Sequence, residues 1–307
     1  MRIAGAGWAG LLAAHAWPSA PVFEVEREPR NVHRALLRFR STAVSELTGI
    51  EFAPVTVRKG IWCGGEFVAP SIRIANLYAQ KVTGGSLVGD RSIWNLDAVQ
   101  RFIAPEDFYE QLIGAVGKRI HWGEPCDFAI PSSAIVSTVP LPVVLRELGL
   151  TAEPSIAEIP FTRQPIAVAR YRVDDCHIHQ TIYFPSPETL VYRASITGDL
   201  LIVEMQHSIS SNPFVDEIPE QVLPAFGISP SRIRFIDAGD QRYGKIVPLA
   251  DSTRKALLNK LSRDHGVFSL GRFATWRGIL LDDVVHDIAI VRRLLRASNY
   301  ERALLTA

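Results

Sequence analysis

Met1-Arg2-Ile3-Ala4-Gly5-Ala6-Gly7-Trp8-Ala9-Gly10 opens the chain and decides its fold class. Glycines at this spacing let a strand turn sharply into a helix. Gly5 makes the turn, Gly7 lets a pyrophosphate approach the backbone, and Gly10 lets the helix pack closely on the strand. The helix end supplies unbonded N–H groups and a positive dipole end, both suited to phosphate. Because the spacing alone recurs by chance, the flanks matter. Leu11-Leu12-Ala13-Ala14 continues as an apolar helix, and Trp17-Pro18-Ser19-Ala20-Pro21 stops it early. Pro21-Val22-Phe23-Glu24-Val25-Glu26 then reads as a second strand ending in an acid. The unit is a strand–helix–strand dinucleotide fingerprint, with Trp8 and Ala9 at the phosphate turn. Glu26, followed by Arg27, is expected to meet the ribose hydroxyls, since Glu24 would place a charge inside a parallel strand. The alternative makes Glu24 and Glu26 simply the polar positions of a half-exposed strand.

Composition narrows the class. The chain has 307 residues, 47% of them hydrophobic, enough for one large domain or two modest ones. A formal net charge of +1 gives no global field toward nucleic acid or a membrane surface. Cys63, Cys126 and Cys176 are scattered and odd in number, which points to free thiols in a reducing compartment. No leader is expected before the first strand, and no run of about 18 apolar residues could span a bilayer. The expectation is a cytoplasmic protein, with no membrane partner and no nucleic acid called for by charge. The oligomeric state is left open.

Further along, Asn31 to Arg40 is basic and partly helical in pattern. Ile50 to Leu87 alternates, with Val55-Thr56-Val57-Arg58 and Ile72-Arg73-Ile74 read as strands of a second layer. A helix is expected from Pro105, a short strand at Arg119-Ile120-His121-Trp122, and a buried strand at Ala134-Ile135-Val136-Ser137-Thr138-Val139-Pro140 with a helix after it. Residues 155–235 change character, with four stretches from Ile166 to Glu204 reading as consecutive antiparallel strands. Helices at 252–261 and 282–295 flank a strand at Gly266-Val267-Phe268-Ser269-Leu270.

That last strand runs into Gly271-Arg272-Phe273-Ala274-Thr275-Trp276-Arg277, and Asp282-Asp283 opens the final helix. A strand end, a glycine, a fixed cation and a helix start are suited to an anion or a polar ring. The bland alternative is a helix cap and a surface arginine. The opening fingerprint together with Ser269 to Trp276 resembles UDP-galactopyranose mutases and amine oxidases. Ala134 to Pro140 resembles the family's strand before its return crossover, and the likeness covers about half of the chain. The resemblance implies an α/β fold: a Rossmann-like FAD-binding domain (1–45, 100–150 and 235–307) with an inserted, smaller antiparallel-sheet substrate domain (46–99 and 151–234). It implies FAD as cofactor. The pyrophosphate would lie on Gly5, Gly7 and Gly10, the adenosine ribose on Glu26, the pyrophosphate again on Arg272, and the ribityl chain and flavin beside Gly271, Asp282, Asp283 and Val284. Family members carry a second glycine pair after the ribose acid. Glu28-Pro29-Arg30-Asn31-Val32-His33 stands there instead, so Arg34, Arg38 and Arg40 are expected to take over part of that work.

Side chains that do chemistry are few, as expected where a flavin carries it. Tyr243 and Lys245 alternate onto one strand face and are the candidate catalytic residues, although a solvated lysine is the ordinary alternative. Trp276 either stacks near the flavin or closes the core. Cys176-His177-Ile178-His179 lacks the paired spacing of a zinc site, and no metal is expected. Trp62-Cys63-Gly64-Gly65 reads as a hairpin turn. The leading expectation is an FAD-dependent oxidoreductase that takes hydride from an amine-bearing small molecule, with oxygen as acceptor. The alternatives are a mutase-like isomerase of a nucleotide sugar, using Arg163, Arg170, Arg172 and Arg193, a phage-type enzyme acting on a modified nucleotide or DNA base, and a non-catalytic dinucleotide-binding protein.

Overall fold

β1 (Arg2–Ala4), α1 (Trp8–Ala16) and β2 (Val22–Glu24) form the opening unit in the computed structural model, which describes residues 1–29, 38–83, 93–129, 133–206 and 218–306. There follow β3 (Arg38–Phe39), α2 (Ala43–Thr48), β4 (Ala53–Cys63), β5 (Glu66–Phe67), α3 (Ile72–Thr83), β6 (Val99–Ile103), α4 (Phe108–Val116), β7 (Ile120–Trp122), β8 (Ile135–Ser137) and α5 (Leu141–Glu147). The remainder is α6 (Pro154–Ala157), β9 (Arg163–Val173), β10 (Ile178–Tyr183), β11 (Val191–Gly198), β12 (Leu200–Gln206), α7 (Ile218–Phe226), β13 (Ile233–Ile246), α8 (Asp251–His265), β14 (Val267–Ser269) and α9 (Leu281–Thr306).

The first sheet has the order β14-β8-β1-β2-β7, and every pair in it is parallel. Counted along the chain this is the 3-2-1-4-5 order of a doubly wound sheet, in which the order reverses between β1 and β8, the place where sheets of this kind open a crevice. α1 is built from Ala and Leu and is buried nearly all round, with Leu11, Leu12, Ala13 and Ala14 fully enclosed. It packs with α4 and α9 on one face of the sheet, through Leu112, Ile288 and Val291. Leu141, Val144 and Leu261, from α5 and α8, belong to a separate core.

The second sheet runs β13-β9-β12-β11-β10-β4-β6-β3. All its pairs are antiparallel except β10 on β4. Alternation along the strands makes two faces. Ala169, Tyr171, Ala194, Ile196 and Val203 pack against Ile218 and Val222 of α7. Val168, Tyr183, Tyr192 and Ile202 point the other way, toward Ala75 and Tyr78 of α3.

The four antiparallel strands and the Trp62–Phe67 hairpin, with Gly64 and Gly65 at positive φ, stand where the sequence places them. Ile72-Arg73-Ile74 does not: it begins α3. The alternation of two isoleucines imitates a strand, but Ala75, Tyr78, Ala79 and Val82 are the buried positions, at helical spacing. Ser71 caps this helix, its Oγ accepting from Ile74 N at 3.2 Å. β13 pairs with β9, so the expected boundary at 235 falls inside a strand of the second sheet. Of the basic stretch, Asn31 to Leu37 lies outside the described residues. Among the described residues, no helix is long and apolar enough to cross a membrane.

Candidate functional site

The carboxyl ends of β1, β2, β8 and β14 converge on the glycine turn. Gly5 takes φ +94°, and a Cβ there would lie 2.5 Å from Thr138 Oγ1. Thr138 pins the turn, donating from both N and Oγ1 to Ala4 O at 2.9 Å. A Cβ on Gly10 would stand 1.8 Å from Gly5 O, so helix and strand touch backbone to backbone. Gly7 has nothing within 4 Å of its missing Cβ, and no side chain caps α1. The turn therefore presents a helix N-terminus behind an unobstructed glycine, which suits a phosphate. Trp8 turns away: its ring stacks on Phe108 at 5.5 Å and lies 5.1 Å from Tyr109, so its side chain is a packing group.

The acid beside this turn is Glu24, not Glu26. β2 ends at Glu24, one residue past the pair Ala4–Phe23, so its carboxylate reaches the turn instead of lying inside the sheet. Oε2 accepts from Ala6 N at 2.6 Å and Oε1 from Glu26 N at 3.1 Å. Glu26 and Arg27 are exposed; Glu26 O accepts from Gly123 N. Arg34 lies outside the described residues. Arg38 is engaged with the second sheet through Thr181 Oγ1, Thr197 Oγ1, Gln180 O and Ile196 O. Burial, with Arg193 nearby, pulls its guanidinium down to about 10.

The carboxyl-terminal segment closes on the same turn. Gly271 takes φ +90°, and a Cβ there would sit 2.7 Å from Ala9 Cβ. Arg272 follows. Its Nε is buried without a hydrogen-bond partner, and burial lowers its pKa, with Tyr192, Arg193 and Glu204 as its charged or ionisable neighbours. Trp276 settles the alternative left by its sequence. It is fully buried among Leu141, Leu261 and Val267, its Nε1 donates to Val247 O at 3.1 Å, and Phe161 meets it edge-on. It closes the core. Val284 is likewise a core residue of α9, 2% exposed. Asp282 Oδ1 accepts from Arg40 N, Ser41 N and Ser41 Oγ, each at 3.0 Å, and Asp283 Oδ1 accepts from Arg40 at 2.5 Å. The two acids tether the segment after β3 to the start of α9.

Neighbouring Arg272 is a polar patch of the second sheet that composition does not signal. Lys245 Nζ lies 4.7 Å from the centre of the Tyr192 ring. Tyr192 Oη donates to Glu204 Oε1 at 3.1 Å, and Arg193 donates to Glu204 through Nε and through NH2, the latter at 2.6 Å. Burial alone would raise the Glu204 carboxyl, but the charge and hydrogen bonds of Arg193 hold it below its ordinary value. Burial and the same carboxylate push the Tyr192 phenol well up. The side chain of Tyr243 lies outside the described residues. Elsewhere, the His177 and His179 rings meet edge-on at 5.3 Å, the three cysteines are unpaired, and no group of three metal-ligating residues occurs among the described residues.

No protein-family model and no curated protein matches the chain. Solved structures do. A reduced UDP-galactopyranose mutase superposes with a TM-score of 0.62 at 15% identity, over 90% of this chain and 89% of that one. A CLA-producing fatty acid isomerase from P. acnes gives 0.59 at 14% identity, over 95% and 97%. An oxidoreductase from Methanosarcina mazei gives 0.58 at 9% identity, over 95% and 99%. At these identities the likeness is one of fold, and the fold is the one that the resemblance to UDP-galactopyranose mutases implies.

Proposed function

We propose that the chain is an FAD-dependent oxidoreductase acting on a small molecule. The observation that carries this is the seating of Gly271 on Ala9. It brings the carboxyl-terminal segment onto the glycine turn and leaves Arg272 Nε buried, beside the turn, without an acceptor. An elongated phosphate-bearing cofactor fits these features: an uncapped helix start at Gly7, a carboxylate at Glu24 for ribose hydroxyls, and a guanidinium for the pyrophosphate or the ring end. Gly5, Gly7, Ala9, Gly10, Glu24, Gly271 and Arg272 would hold it. Asp282 and Asp283 border it by fixing the segment at Arg40.

Bound FAD would supply the two-electron acceptor for hydride transfer from a C–H beside an amine nitrogen, with oxygen as final acceptor. This chain's residues do the rest. Lys245 places an ammonium on the ring of Tyr192, itself a neighbour of Arg272, and can fix a water or a polar substrate group there. Behind it, Tyr192 belongs to a buried cluster with Tyr183 and Tyr78 that holds its ring in place. The mutase-like reading is weakened by its own arginines. Arg170 is paired with Asp237 through two bonds, and Arg172 with Asp199 and Glu106, so neither is free for a substrate diphosphate.

The test is the purified protein itself. A yellow protein that releases FAD on denaturation supports the proposal, and a colourless one that refuses FAD removes it. Bleaching of the flavin by a panel of amines, with peroxide formed in air, supports the oxidase. Turnover of a nucleotide sugar only after dithionite reduction supports the isomerase.

A further inference from the structure

Alternation along a strand sends neighbouring side chains to opposite faces. At Tyr192 and Arg193 it fails. The register between β11 and β12 shifts between Val191 and Arg193, leaving Tyr192 as the extra residue opposite the Met205–Glu204 step. A bulge of this kind re-aims a side chain, and here both Tyr192 and Arg193 reach one acceptor, Glu204, which is 4% exposed. The arrangement extends in two directions. Through Tyr192 it meets the Lys245 ammonium, which in turn favours the ionised Glu204. Through Arg193 and Glu204 it adjoins Arg272, one residue from the glycine seated on the phosphate turn. A buried ion pair adds little net stability over an apolar pair of the same volume, so the packing of the sheet does not by itself account for this one.

We propose that Glu204 is a positioning residue: it gathers Tyr192 and Arg193 onto one face at the bulge, holds the Tyr192 ring beneath Lys245, and so sets the charge of the surface that lies against the ring end of the bound cofactor. The inference rests on the FAD reading above. Glu204 is buried beneath its three neighbours, Tyr192, Arg193 and Lys245, and acts through them. Its carboxylate offsets part of the positive charge of Arg193, Lys245 and Arg272, and thereby lowers the stability of the reduced, more negative cofactor.

The experiment is the midpoint potential of FAD bound to the full chain, measured for the wild type, Glu204→Gln and Lys245→Gln. Removing the carboxylate should favour the reduced form by about tenfold, a rise of ~30 mV for a two-electron couple. Removing the ammonium should move the potential down by a similar amount. Opposite signs identify an electrostatic face, because loosening of the sheet would move both variants the same way. Wild-type potentials in both variants, or shifts of one sign, overturn the inference while the yellow wild type upholds the FAD reading. Should Glu204→Gln fail to fold, having stranded Arg193 without its counter-charge, Lys245→Gln decides: a lowered potential supports the proposal and an unchanged one overturns it. A wild type that takes up no FAD overturns both readings together.

Discussion

Gly271→Ala tests the meeting of the two chain ends. The new methyl group faces two separate costs. At φ +90° an L-residue is strained by about 1–2 kcal/mol. Its Cβ would also lie 2.7 Å from Ala9 Cβ, well inside ordinary carbon contact, and overpacking of this order costs about 1–3 kcal/mol. The single variant should therefore lose about 2–5 kcal/mol in urea or thermal unfolding, and its FAD retention should fall. The two costs separate in a double-mutant cycle. Ala9→Gly alone should cost up to about 1 kcal/mol, because a helix position loses its methyl. Combined with Gly271→Ala it removes the collision but not the φ strain, so the pair should show a favourable coupling of about 1–3 kcal/mol. A coupling below about 0.5 kcal/mol would refute the contact between α1 and the segment after β14, and with it the shared groove on which the cofactor reading depends.

Three further outcomes follow from the geometry. Glu24→Ala should weaken FAD binding about 10- to 100-fold by titration of the apo-protein, the value of a hydrogen bond to a charged group, while Glu26→Ala leaves it within about twofold. The reverse ranking would restore Glu26 as the ribose acid. Arg38→Met should lower unfolding free energy by about 3 kcal/mol, since it strips the donor from four buried or half-buried acceptors, and Arg38→Lys should recover only part because an ammonium lacks the planar fork. Lys81, 8% exposed, donates to Phe184 O, Ser186 O and Val191 O, and burial brings its pKa down from 10.5 to about 7. The folded state then holds fewer protons than the unfolded one between about pH 7 and pH 10, so stability should rise with pH across that window, and Lys81→Met should lack the slope. A flat wild-type profile would mean that the three carbonyls keep the ammonium charged.

What the sequence made legible was local. The glycine spacing, the Ala–Leu helix and the Trp17-Pro18 stop each act within a few residues, so β1, α1 and β2 fall where the pattern puts them. Which acid stands beside the glycine turn, Glu24 or Glu26, depends on a single strand boundary. The cost of a buried charge is real, but it applies to a strand interior, and β2 ends at Glu24, level with Gly5. α3 was hidden because Ile72 and Ile74 fit a period of two over three residues, too short a window to outvote the helical set from Ala75 to Val82. Trp276 was undecidable from sequence, since its role depends on Phe161 and Val247, more than a hundred and nearly thirty positions away. Glu204 was invisible for a stricter reason. Its partners Tyr192 and Arg193 are neighbours in sequence, and regular alternation forbids two neighbours from sharing one acceptor. Only the bulge makes the triad possible, and a bulge is a property of two paired strands, not of either one. A polar cluster assembled at such a register shift lies outside any reading that treats strands one at a time, whereas the glycine turn is a local feature that ten residues carry.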